Sequence, residues 1–295
     1  MKRKTNPPEV NNKLCNGCGL CIEQCPSFVL EMKAKKAFIE RGEWCIECGH
    51  CAAVCPTGAM LYNGKALPFH PKKGKTPAVS PGALNLLLRE RRSVRNYSSK
   101  PVSEKALQNI LDAGRCAPTG TNSRNVKYII IANPEHISGL QKMVLDFYSK
   151  IFSKARSRIG RLFLMAIVGR RITEYICDSL PKMEYANKRI EEGKDPLFYN
   201  APAILIAHAE SWDTCSAFNC SVAMYNCSLM AHAMGIGCCF NGFLVAAANK
   251  SDEIRKRLGI PDNHQCFSAM TLGYSNLKYV RLIDRKPDES DLRIV

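Results

Sequence analysis

Eight cysteines in two copies of one pattern are the residues whose types and spacing most directly announce chemistry. CNGCGLCIEQCP occupies 15–26 and CIECGHCAAVCP occupies 45–56, and both read Cys-x2-Cys-x2-Cys-x3-Cys-Pro. A single zinc ion takes four ligands, usually from two separated Cys-x2-Cys pairs. Three cysteines at steps of three instead wrap an object larger than an ion. That is the spacing of iron–sulfur ligation, in which the fourth cysteine of each run goes to the other cluster. The pattern therefore predicts one [4Fe–4S] cluster on Cys15, Cys18, Cys21 and Cys55, and a second on Cys45, Cys48, Cys51 and Cys25. Gly17, Gly19 and Gly49 let the backbone bend toward sulfur, and Pro26 and Pro56 stop the chain after each fourth ligand. A zinc or disulfide scaffold is the competing reading, and the doubling of the pattern argues against it.

Over about residues 10–63 the chain resembles bacterial two-cluster ferredoxins. Four further stretches carry chemistry of another kind. RRSVR (91–95) concentrates cations and a hydroxyl suited to a phosphate. APTGTNSRN (117–125) offers backbone N–H groups and short hydroxyls. GIGCCFNGF (235–243) lets the backbone approach a flat ring, and KYVRLIDRKP (278–287) adds cations near the C-terminus. No Gly-x-Gly-x-x-Gly follows a strand, and no Walker loop is present.

In combination and order these four stretches resemble the nitroreductase family of FMN-dependent enzymes, over roughly residues 83–295. The resemblance implies that Arg91, Arg92, Ser93 and Arg95 grip the FMN phosphate and ring. It implies that Pro118, Thr119, Gly120, Thr121 and Asn122 lie along the flavin, and that Cys239, Phe240, Asn241 and Gly242 pass near it. Arg281 and Arg285 correspond to the terminal cations that reach the phosphate. Members often continue the Asn with Ser-Gln-Pro-Trp, where this chain has Ser123, Arg124, Asn125 and Val126. Many carry a Pro and a Glu in the later loop, where this chain has Cys239 and Asn241. Substrate class and use of NAD(P)H therefore stay open.

The elements that must position these groups divide the chain into a ferredoxin-like domain (1–63), a Pro-, Lys- and Gly-rich linker (64–82) and an FMN domain (83–295). The second domain reads as α+β, a mixed sheet flanked by helices. A helix precedes the Arg-Arg-Ser run, and Ser103 caps another. Strands are expected at 126–132, 201–209 and 266–275 and a long helix at 213–234, ended by Gly235 and Gly237. That helix carries Cys220, Met224, Cys227 and Met230 with almost no charge, which reads as the interface of a homodimer.

The formal charge is +16, but no nucleic-acid-binding motif accompanies it. The basic surface is read as attracting acidic redox proteins or phosphate-bearing cofactors. No signal peptide and no membrane span are recognisable, and free thiols with oxygen-sensitive clusters point to the cytoplasm of an organism that lives partly without oxygen. The expected activity loads FMN through the clusters and reduces a small oxidised molecule such as a nitroaromatic, a quinone or an activated alkene. No side chain is assigned as a catalytic nucleophile, acid or base. A non-catalytic electron carrier or redox sensor is the alternative.

Cys215, Cys220, Cys227, Cys238 and Cys239 are read as packing residues, and His208 and His232 as core histidines. His50 is read either as tuning the second cluster or as merely exposed. Residues 150–171 hold seven basic residues and no acid. They are expected to form one amphipathic helix, a lid over the flavin, with Lys150, Lys154, Arg158 and Arg161 on one stripe. An anionic membrane is the competing partner of such a helix, and a plain core helix with solvated cations is the other reading.

Overall fold

The computed structural model describes residues 5–62, 64–66 and 79–283. Most of the expected linker, and Arg285, lie outside the described residues. The chain divides into two compact units, Met1–Ala78 with Thr119–Arg124, and Val79–Pro118 with Asn125–Val295.

The first unit is a duplicated half. β1 (Glu9–Val10), α1 (Leu20–Glu23), β2 (Leu30–Lys33) and β3 (Lys36–Ile39) are followed by α2 (His50–Ala53), β4 (Met60–Tyr62) and β5 (Lys65–Ala66). β1 pairs antiparallel with β4, β4 with β5, and β2 with β3. Each short helix starts from a left-handed glycine, Gly19 or Gly49. The left-handed position at Gly17 recurs thirty residues later at Glu47, and that at Phe28 recurs at Gly58. At Gly17 a Cβ would meet the Lys35 carbonyl oxygen at 2.3 Å, so only glycine fits. Val29, Leu30, Ala37 and Met60 form a small core with Cys21, Cys45 and Cys51.

The second unit begins with α3 (Pro81–Glu90), capped by Ser80, and α4 (Glu104–Arg115), whose Ser103 Oγ accepts from the Ala106 N–H. β6 (Lys127–Ile131) leads to α5 (Pro134–Arg156), α6 (Arg158–Val168) and α7 (Arg170–Glu191). β7 (Ala203–Glu210), α8 (Ser216–Ala233), β8 (Gly237–Phe240), α9 (Gly242–Lys250), α10 (Asp252–Arg257) and β9 (His264–Gly273) follow. The sheet runs β6-β7-β9-β8 with every pair antiparallel, and the parallel element is a bridge from Ser93 to Cys238 on β8.

Period-two alternation makes the sheet the middle of three layers. Ala203, Leu205, Ala207 and Ala209 of β7 face α4 and α8, while Ile204 and Ile206 face α5, α9 and α10. Both faces of β7 are thus buried, which is why its sequence reads as a continuous apolar run.

Two expectations require correction. Residues 150–171 do not form one helix. Ser157 leaves helical geometry (φ −102°, ψ 151°) and its Oγ accepts from the Gly160 N–H at 3.0 Å, starting α6 anew. A Cβ on Gly160 would lie 2.0 Å from the Lys154 carbonyl oxygen, so the two helix ends abut. Lys150 and Lys154 therefore sit on α5, and Arg158 and Arg161 on α6, without a common stripe. On α8, Cys220, Met224 and Cys227 are fully buried in the unit's own core, and only Met230 of the expected interface residues is exposed. Their apolarity is consumed by α4 and the sheet. Among the described residues no helix is long and apolar enough to cross a membrane.

Candidate functional site

In the first unit the eight cysteines sort into two cavities. One is lined by Cys15, Cys18, Cys21 and Cys55, the other by Cys25, Cys45, Cys48 and Cys51. The fourth cysteine of each run has crossed to the cavity of the other run. Among the described residues no three Cys, His, Asp or Glu side chains close on a point the size of a single ion; each quartet rings a void instead. Backbone N–H groups point at the sulfurs: Val29 to Cys25 at 3.4 Å, Ala59 to Cys55 at 3.2 Å and Glu47 to Cys45 at 3.4 Å. Such donors favour the thiolate. At Cys55 they outweigh burial: the Thr57 hydroxyl and the N–H groups of Thr57, Ala59 and Met60 bring the thiol below its ordinary value. At Cys21 and Cys45 burial wins and the thiols are raised, and at Cys51 it lifts the thiol to about 11 despite Tyr62. His50 lines the second cavity and is exposed.

Thr119–Arg124 belong to this unit through their backbone and side chains. Asn122 Nδ2 donates to the Ile46 carbonyl at 2.9 Å and Arg124 Nη2 to the Glu47 carbonyl at 3.0 Å. Thr121, Asn122 and Arg124 all have positive φ, near 50°. Of the stretch the family resemblance placed along a flavin, only Pro118 groups with the second unit.

In the second unit the Arg-Arg-Ser segment is stapled along β8. The Val94 N–H donates to the Cys238 carbonyl at 2.9 Å, and the Ser98 N–H to the Tyr274 carbonyl at 2.8 Å. Tyr97, buried, shares a 2.9 Å hydrogen bond with Thr271. This brings Arg91, Arg92, Ser93 and Arg95 to the sheet edge that carries Cys239 and Phe240. Arg91, Arg92 and His232 line one cavity, and Arg92, His232 and Arg281 an adjoining one. Arg91 Nε and Nη1 are buried without a hydrogen-bond partner. A buried guanidinium with open donors is costly unless an acceptor arrives. Cys238 lies beside it, its thiol pushed up to about 11 by burial although Arg91 pulls the other way.

Phe240 is 39% exposed, and a Cβ on Gly242 would meet nothing within 4 Å, so flat groups have access to this edge. Asn241 serves the backbone: its Oδ1 caps α9 through the Leu244 N–H and its Nδ2 donates to the Leu197 carbonyl. Orphaned cationic donors beside an open, glycine-bearing edge suit a phosphorylated, flat cofactor.

Sequence reasoning missed Tyr199, His232 and Tyr279 at this site. Tyr199 and Asn200 hold positive φ (61° and 56°) just before β7, fixed by Asp195, whose carboxylate accepts from the N–H groups of Leu197, Phe198 and Asn200. Tyr199 lies beside Arg95 and Cys239, and burial raises its hydroxyl pKa. Strained backbone of this kind clusters at functional sites. His208 is a satisfied core histidine, its Nδ1 2.9 Å from that of His264.

The family model described as the nitroreductase family matches residues 88–274, and that described as a 4Fe-4S dicluster domain matches residues 14–60. A protein of Methanothermobacter thermautotrophicus named as an NADH dehydrogenase/NAD(P)H nitroreductase is 22% identical over 191 residues, 63% of this chain and 74% of that one. An uncharacterised ferredoxin of Methanocaldococcus jannaschii is 40% identical over 53 residues, 17% of this chain and 86% of its own. The solved nitroreductase with bound FMN from Bacteroides fragilis is similar with a TM-score of 0.53 at 22% identity, covering 72% of this chain and 98% of that one. A BluB-like flavoprotein from Clostridium difficile reaches 0.54 at 15% identity, covering 72% and 98%. At these identities the structural likeness is one of fold.

Proposed function

Because the chain belongs to the nitroreductase family, we propose that it is an FMN-dependent oxidoreductase in which two [4Fe–4S] clusters supply the flavin and a small oxidised organic molecule is the acceptor. A nitroaromatic, a quinone or an activated alkene each suits this chemistry. The observation that carries the reading is the crossed sorting of eight cysteines into two separate cavities, in a chain whose residues 88–274 match the nitroreductase family. Clusters move single electrons, whereas a bound flavin can take them singly and deliver a hydride.

The chain's own residues then have simple tasks. Cys15, Cys18, Cys21 and Cys55 hold one cluster, and Cys25, Cys45, Cys48 and Cys51 the other. Arg91, with its open donors, receives the FMN phosphate together with Arg92, Ser93 and Arg281. Arg95, Cys239, Phe240 and Gly242 border the ring, and the fixed sheet edge orients it. The protein works in the cytoplasm as a homodimer, supplied by an acidic redox protein.

Anaerobic purification followed by iron, sulfide and flavin counts tests the cofactors; no flavin bound at saturating FMN would refute the proposal. Turnover with nitro, quinone and enone acceptors tests the reaction. Sedimentation of the FMN-loaded protein only as a 32.8 kDa monomer would refute the dimer.

A further inference from the structure

Helix α6 is built inside out. Its sequence, RIGRLFLMAIV, places Ile159, Leu162, Phe163, Ala166 and Ile167 at the i, i+3, i+4, i+7, i+8 spacing of one helical face. In a helix packed on a core that face is the buried one. Here it is the exposed one: Ile159 is 83% exposed, Leu162 65%, Phe163 50% and Ile167 63%, with Ala166 exposed as well. Leu164, on the opposite side, is the one residue of α6 that is buried. At the start of α7, Ile172 (53%) and Tyr175 (70%) are exposed as well. A contiguous apolar surface of this kind marks an interaction site.

The charges beside it say what kind. No acidic residue occurs between Asp146 and Glu174, while seven lysines and arginines do. Two of these are engaged with acids, Arg156 with Glu184 and Arg170 with Glu174. Lys154, Arg158 and Arg171 are exposed and have no acidic partner among the described residues. Lys154 Nζ sits 4.7 Å from the Phe163 ring centre, so cation and apolar stripe are adjacent.

We propose that α6 and the start of α7 dock this protein on an anionic lipid surface, with Ile159, Leu162, Phe163 and Ile167 entering the headgroup boundary and Lys154, Arg158 and Arg171 meeting lipid phosphates and carboxylates. A second copy of the chain fits less well. A two-fold contact through this stripe would bring together two patches that each carry unpaired cations and, from 147 to 173, no acid, and like-charged patches so placed oppose association. An interfacial amphipathic helix with basic residues around an apolar face has the composition that lipid surfaces select.

The test is cosedimentation of the full cofactor-loaded chain with vesicles of phosphatidylcholine alone and of phosphatidylcholine mixed with phosphatidylserine. Binding to the mixed vesicles, weakened by salt and absent from the neutral ones, is expected. Leu162→Glu with Phe163→Glu should abolish it, and Arg158→Gln or Arg171→Gln should each weaken it about fivefold. Because these side chains face solvent, circular dichroism and cofactor content should be unchanged. Absence of binding to mixed vesicles at low salt overturns the proposal. So does a doubly substituted protein that binds vesicles as before while its dimer falls apart, since the occupant is then a second copy. Neither result touches the redox reading, which is tested by cofactor counts and turnover.

Discussion

The Val94 N–H donates to the Cys238 carbonyl, and the glycine before that cysteine has no room for a side chain: a Cβ on Gly237 would meet Val94 Cγ2 at 2.5 Å. The staple that carries the arginine run thus depends on the absence of one methyl group. Gly237→Ala should push the segment off β8, destabilising the domain by about 1–3 kcal/mol as overpacking does and loosening FMN. Urea unfolding and quenching of FMN fluorescence measure the two effects. Unchanged midpoint and unchanged affinity together would refute this role for Gly237.

Arg91 offers a prediction with two signs. Removing a charge-assisted partner of a phosphate should cost about 1.5–3 kcal/mol of FMN affinity, roughly ten- to hundredfold. The same substitution relieves a buried guanidinium whose Nε and Nη1 have no acceptor. Arg91→Met should therefore weaken FMN binding while leaving the flavin-free protein as stable or more so. A flavin-free variant that melts well below the wild type would mean that Arg91 is chiefly a packing residue.

The crossed cysteines predict spectroscopy that chain order alone would assign differently. Cys25→Ser should disturb the same cluster signal as Cys48→Ser, and Cys55→Ser the same signal as Cys18→Ser. Low-temperature paramagnetic resonance of the reduced variants reads this directly. If Cys25→Ser instead matches Cys18→Ser, each run holds its own cluster and the sorting has no functional meaning.

His208 makes stability depend on pH. Burial first, then the neighbouring His264 and Lys127, depress it from 6.5 to about 4. The unfolded chain thus binds a proton that the folded chain refuses between these values, and folding stability falls as pH drops from about 6.5 toward 4. The loss is at most a few kcal/mol. His208→Gln should show a smaller loss than wild type across that window in urea titrations at pH 7 and pH 5. Equal losses would mean that other groups carry the acid sensitivity.

What was legible in the sequence was local. The cysteine runs fix their own geometry through spacing, and the apolar runs of β7 and β9 declare strands. Ser103 announces its helix because a cap acts over three residues. What was not legible depends on contacts distant in sequence. Periodicity shows that Cys220 and Cys227 share a face, but only the close approach of Gly114, where a Cβ would meet Cys227 Sγ at 2.6 Å, turns that face inward. The break at Ser157 was hidden because its flanks continue a helical pattern, and a serine inside such a pattern is an ordinary occurrence. The bonding of Asn122 and Arg124 to the carbonyls of Ile46 and Glu47 joins residues more than seventy positions apart. His232 looked like core because nothing in its helix reveals the cavity at its end.

The burial of the second unit's thiols also fixes how the molecule meets electrophiles. Cys220, Cys227 and Cys266 are pushed to about 12 and Cys238 to about 11, chiefly by burial. A thiol that stays protonated and hidden is a poor target for alkylation or oxidation. Cys116, at the end of α4, is exposed. Maleimide applied to the cofactor-loaded protein should therefore find the exposed Cys116, and then the half-buried Cys177 and Cys215, long before the core thiols, so that a dye or a surface tether attaches at the periphery of the unit.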